Sequence, residues 1–96
     1  MKRLGINIDH IATVRNARGS SHPDPVNIAK YVMDCGAHSI TIHLREDRRH
    51  IKDLDVVKLC KLKKIIINLE ISLNEDVIKI ALKNKPNFIC IVPEKR

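Results

Sequence analysis

The sequence predicts the α/β class, a single unit in the order β-α-β-α-β-α-β with parallel strands. Three observations carry that expectation. Four short Ile- and Val-rich segments recur along the chain, at Leu4–Ile8, Ser39–His43, Ile65–Glu70 and Asn87–Val92. Helix-starting and helix-stopping residues lie between them. The segments read as nearly continuous apolar runs, the pattern of parallel strands covered on both faces.

The first helix is expected to begin at Asp24-Pro25, where an aspartate can cap free backbone N–H groups and proline suits the first helical position. Ile28, Ala29, Val32 and Met33 fall at helical spacing, and Gly36 stands where a left-handed cap usually ends a helix. A second helix is expected near Asp53, burying Val56, Val57 and Cys60. A third follows Asn74, with Glu75 and Asp76 favourable beside its positive N-terminal dipole and Ile78, Ala81 and Leu82 on its inner face. Pro86 cannot continue that helix, so the chain turns into the fourth strand. Such alternation implies right-handed crossovers, and fits either half of a (β/α)8 barrel or a small doubly wound sheet.

Ninety-six residues make one small domain, with no linker, internal repeat or low-complexity tract to divide it. At 44% hydrophobic and 30% charged, the composition is that of a folding globular chain. The net charge of +7 invites a polyanionic partner. However, Lys58, Lys61, Lys63, Lys64, Lys79 and Lys83 sit at helix positions that read as a solvated outer face. Tyr31 and Phe88 are the only aromatics, too few for base-stacking platforms, so nucleic acid is not the expected partner. Three separated cysteines, Cys35, Cys60 and Cys90, lie in apolar segments and read as buried free thiols in a reducing, cytoplasmic setting. No apolar run approaches the ~20 residues of a membrane span, and polar Asp9 and His10 come too early for a signal peptide, so no membrane association is expected.

In parallel α/β folds ligands bind at the carboxyl ends of the strands. Here those ends read Asn7-Ile8-Asp9-His10, then His43 through His50, then Asn68-Leu69-Glu70, then Pro93-Glu94-Lys95-Arg96. An imidazole and a carboxylate on neighbouring strands can exchange protons with a carbonyl substrate, which makes His43 and Glu70 the candidate acid–base pair. Arg18, Arg45, Arg48 and Arg49, all read as strand-end loop residues, offer charge-assisted bidentate bonds to phosphate. Taken alone, the Arg45–Arg49 run would be an ordinary solvated loop. No H-E-x-x-H or C-x-x-C spacing supports a metal, and no glycine-rich loop supports a nucleotide.

The strings NIDHIATVRNARG, HPDPV, TIHLREDRRHI, NLE and VPEKR resemble the pyridoxine 5'-phosphate synthase family, from the first strand to the last residue. The resemblance implies a partial (β/α)8 TIM barrel, residues 1–96 forming its N-terminal half. It also implies a cytoplasmic enzyme without metal or organic cofactor that assembles as a homo-octamer. Such enzymes condense 3-amino-2-oxopropyl phosphate with 1-deoxy-D-xylulose 5-phosphate. Carried onto this chain, Asn7 and Arg18 would contact the amino-ketone phosphate. Asp9, His10, Arg45 and His50 would contact the deoxyxylulose phosphate, and His43 and Glu70 would accept protons. A full barrel takes about 250 residues. The family's later strands supply a proton-donating histidine and a glycine-rich phosphate site, so the expectation is a truncated or split enzyme that pairs with a complementary C-terminal half; the alternatives are a chain that dimerises and a non-catalytic remnant that at most binds phosphorylated ketones. Half a barrel is also expected to leave two unpaired edges and an exposed apolar inner face.

Overall fold

Two of the three expected helices start at the predicted caps. The Asp24 carboxylate accepts from Val26 N, and the Asn74 side chain accepts from Asp76 N and Val77 N. The computed structural model describes residues 2–95. Its order is β1 (Gly5–Asn7), α1 (Asp9–Arg18), α2 (Pro25–Asp34), β2 (Ser39–His43), α3 (Asp53–Cys60), β3 (Ile67–Ile71), α4 (Glu75–Asn84) and β4 (Phe88–Ile91). The four strands form one parallel sheet in the order β1-β2-β3-β4. Consecutive strands pair side by side with helices between them, the arrangement of part of a TIM barrel. Among the described residues no helix is long and apolar enough to cross a membrane.

Helix α1 was not expected. Its N-cap is Ile8, which offers no side-chain acceptor, and only Asp9 and Ala12 of its ten residues are buried, so it carries neither a capping signal nor a broad apolar stripe. Its end is better marked. Gly19 takes the left-handed conformation (φ 64°) and donates to the Asn16 carbonyl, while Arg15 and Arg18 sit in the last turn against the negative end of the dipole. Arg18 is therefore the last residue of a helix and not a strand-end loop residue.

The sheet alternates, which corrects the reading of nearly continuous apolar runs. Ile40, Ile42, Ile67, Leu69 and Ile71 point to one side and are fully or almost fully buried beneath the helices. The intervening residues Asn7, Thr41, His43, Asn68 and Glu70 point to the other. The register places Asn7 beside Thr41, Thr41 beside Asn68, and His43 beside Glu70. The inner face toward the strands' carboxyl ends is consequently polar, contrary to the expected apolar one. Apolar groups on that side gather toward the opposite end, at Ile66 and at Phe88, which is 61% exposed. Gly5 permits the close approach of β1 to β2, since a Cβ there would lie 2.9 Å from Ser39 Oγ.

The core joins the covered face of the sheet to Ala12, Ala29, Val56, Leu59, Val77 and Ala81 from the four helices. Each large side chain fully withdrawn from water there contributes about 1.5–3 kcal/mol. Three inward positions differ from expectation. Leu59 takes the buried place expected of Val57 and Cys60, which are only partly covered, and Val77 takes that of Leu82, which is 66% exposed. Cys35 and Cys90 are exposed, not buried, and burial pushes the half-covered Cys60 thiol up.

Candidate active site

The polar residues that end β1, β2 and β3 meet at one rim. Asp9, the first residue of α1, turns its carboxylate back across the sheet, where Oδ1 accepts from His43 N at 2.8 Å and Oδ2 accepts from Asn7 Nδ2 at 2.9 Å. Asn7 Oδ1 in turn accepts from Asp9 N at 2.8 Å. A buried carboxylate needs such donors, and here it continues the β1–β2 ladder with a side chain in place of a carbonyl. That contact fixes the backbone of His43. On the next strand Glu70 is the Cα partner of His43, so the imidazole and carboxylate stand side by side on the open face.

His50 completes the imidazole group. Its ring lies 6.3 Å from that of His43 and 6.3 Å from that of His10, the latter pair edge to face. Ile51 N donates to His50 Nδ1 at 2.8 Å, so the neutral ring carries its hydrogen on Nε2. Burial is the main cause that pushes the His50 imidazole below its ordinary range, with the nearby His43, His10 and Arg45 acting in the same direction and Asp9 opposing them. His10 is exposed at the start of α1, its Nδ1 3.4 Å from Thr13 Oγ1.

Position 50 is held from below by α1. Arg15 Nη2 and Asn16 Nδ2 both donate to the His50 carbonyl, and Arg15 also makes a bidentate pair with Asp55 at 2.6 and 2.9 Å. The Asp55 hydrogen bond, ahead of the opposing effect of burial, raises the Arg15 pKa. The β2–α3 loop is equally tied. Arg48, in the left-handed conformation (φ 54°), donates to the carbonyls of Arg45 and Glu46 and to the carboxylates of Asp53 and Asp76. Arg49 faces Asp47 and holds that carboxyl down at about 2. Arg48 and Arg49 are thus engaged with protein carboxylates. Arg45 is paired more loosely: its Nε lies 3.5 Å from Asp47 Oδ1 and its Nη2 3.8 Å from Glu94 Oε1, and the buried Nε makes no hydrogen bond among the described residues. An unmatched buried guanidinium N–H is the donor an anionic group would satisfy.

Seven of the eight expected site residues converge here: Asn7, Asp9, His10, His43, Arg45, His50 and Glu70. Arg18 does not join them, being exposed at the far end of α1, about 14 Å of helix rise from Asp9. Glu94 was legible only as a rim residue. Its Oε2 lies 3.3 Å from His43 Nε2 and its Oε1 3.8 Å from Arg45 Nη2. Nothing local in the sequence signals a partner 51 positions away. Arg96, read with the same strand end, lies outside the described residues. Among the described residues no three His, Cys, Asp or Glu side chains are grouped to hold a metal ion.

Fold and site together define a protein built as part of a β/α barrel, with imidazoles, carboxylates and an arginine gathered at the carboxyl rim of its parallel strands. A family model described as "Pyridoxal phosphate biosynthesis protein PdxJ" matches residues 4–96, and the chain belongs to that family. It is 80% identical over all its 96 residues to the pyridoxine 5'-phosphate synthase of Pelagibacter ubique, covering 40% of that relative. It is 56% identical over 94 residues to the synthase of Wolbachia pipientis subsp. Culex pipiens, and 56% over 93 residues to that of Aliivibrio fischeri, covering 40% and 38% of them. The chain therefore spans about two fifths of the length of the curated relatives it matches.

Proposed function

We propose that the chain contributes the first half of the site of a pyridoxine 5'-phosphate synthase, which joins 3-amino-2-oxopropyl phosphate to 1-deoxy-D-xylulose 5-phosphate in vitamin B6 biosynthesis. The observation that carries the reading is the pairing of His43 with Glu70 on adjacent strands, beside an arginine with an unmatched donor. The names of the relatives support the same activity. Joining an amine to a ketone, then losing water and phosphate, requires repeated proton removal and return. An imidazole and a carboxylate side by side suit that work. Arg45 Nε would bind a phosphate oxygen, and His50, held neutral by burial and by Ile51 N, would donate through Nε2–H without adding charge. Asn7 and Asp9 would keep the His43 backbone in place while offering their remaining hydrogen-bonding capacity to substrate.

In this reading a complementary C-terminal part closes the barrel over the polar face and supplies the further proton donor and phosphate site. The setting is cytoplasmic and the assembly is that of the family, a homo-octamer. The test is formation of pyridoxine 5'-phosphate from the two ketone phosphates, with the chain alone and with the C-terminal part of a family member. Product only in the mixture is expected. Product from the chain alone would refute the need for a complementary part, and none in either case would refute the enzymatic reading.

A further inference from the structure

We infer that Glu94 is a positioning residue for His43, fixing its imidazole as the Nε2–H tautomer so that Nδ1 is the nitrogen left free to take a proton. The catalytic meaning of this inference rests on the function proposed above; the contact itself does not.

The argument starts from burial. The Glu94 side chain is 9% exposed and that of His43 13%, so a carboxylate at this place needs donors. Three surround it. Glu46 N lies 3.3 Å from both carboxylate oxygens, Arg45 Nη2 lies 3.8 Å from Oε1, and His43 Nε2 lies 3.3 Å from Oε2. A carboxylate has no hydrogen to give, so the imidazole must be the donor of that contact, and a neutral ring that donates through Nε2 is bare at Nδ1.

The support is itself anchored. Glu46, whose backbone N–H meets Glu94, has its own carboxylate held by Ser72 Oγ at 2.6 Å and Asn74 Nδ2 at 3.2 Å. Residues following β2, β3 and β4 are thereby linked in one line that ends on the His43 ring. On its other sides that residue meets the Asp9 carboxylate at its backbone, the His50 ring and Glu70 on the adjacent strand. None of these makes a hydrogen bond to the ring nitrogens among the described residues, which leaves the tautomer to Glu94.

The experiment reads the ring directly. Nitrogen-15 spectra of the histidine side chains, taken above the imidazole titration range near pH ~6.5, are expected to show His43 with its hydrogen wholly on Nε2. In Glu94→Ala the two nitrogen shifts should move toward each other as the tautomers mix. In Glu94→Gln, which keeps an acceptor oxygen, they should return toward the wild-type values. A wild-type ring protonated on Nδ1, or shifts unchanged in Glu94→Ala, would overturn the inference. In the complemented enzyme Glu94→Ala is expected to lower kcat by on the order of tenfold, with KM for both substrates nearly unchanged and recovery in Glu94→Gln. A tautomer change with undiminished kcat would overturn the catalytic part alone. Absence of product from every form would refute the functional reading, and the ring spectra would still decide the contact.

Discussion

Asp55→Ala removes three hydrogen bonds at once, those from Arg15 Nη1, Arg15 Nη2 and Lys52 N, at 2.6, 2.9 and 2.8 Å. The Lys52 bond satisfies a free donor at the start of α3, and losing such a contact costs about 1 kcal/mol. Breaking a buried pair by removing one partner costs about 3–5 kcal/mol, because the other charge stays behind without compensation. Arg15 keeps 14% of its side-chain surface in water, so part of that penalty is relieved by rehydration and about 2 kcal/mol is the fitting share. The sum is about 3 kcal/mol, a large part of the roughly 5–15 kcal/mol that holds a small domain. Urea denaturation followed by circular dichroism should show that loss with an unchanged m-value. Adding Arg15→Met should restore a good part of it, since the stranded charge is gone. A single-variant loss under about 0.5 kcal/mol, or a double variant weaker than the sum of the singles, would refute this account of the α1–α3 tie.

The remaining predictions concern protons and turnover. His50 binds a proton less readily folded than unfolded, so below about pH 6.5 the unfolded chain holds more protons, and the stability arising from His50 is present above that value and lost as pH falls through the folded one. Urea midpoints measured against pH should therefore fall less steeply on acidification in His50→Gln than in the wild type, and parallel curves would contradict the buried neutral ring. In the complemented enzyme His43→Ala and Glu70→Ala should each lower turnover by roughly 10²–10⁴-fold, whereas Arg45→Ala should act mainly on KM; unchanged rates for the first two would remove them from the chemistry.

Much of this architecture was legible because its signals are local. Asp24, Asn74 and Pro86 each act on the backbone within a few positions, so α2, α4 and the entry to β4 were found where the residues put them. Helix α1 escaped because what holds it is distant: Arg15 reaches Asp55 forty positions away, and Asn16 reaches the Arg49 and His50 carbonyls. The two-faced sheet escaped for a different reason. Thr41, Asn68 and Glu70 interrupt the apolar runs at every second place, but three- to five-residue strands give alternation few chances to declare itself. The rim residues could be named from the strand-end rule alone, while the His43–Glu94 contact depends on how β2 and β4 flank β3.

All six residues from Arg45 to His50 are charged or titratable, and such a surface loop would ordinarily exchange its amide hydrogens with solvent almost freely. Arg48 changes that, because one guanidinium fastens two loop carbonyls to the starts of α3 and α4. Arg48 N is bonded to the Arg45 carbonyl and Arg49 N to Asp47 Oδ1. Deuterium uptake here should therefore proceed at the pace of the helix ends and not at that of a free loop, so Arg45 is carried on a segment whose backbone is already set.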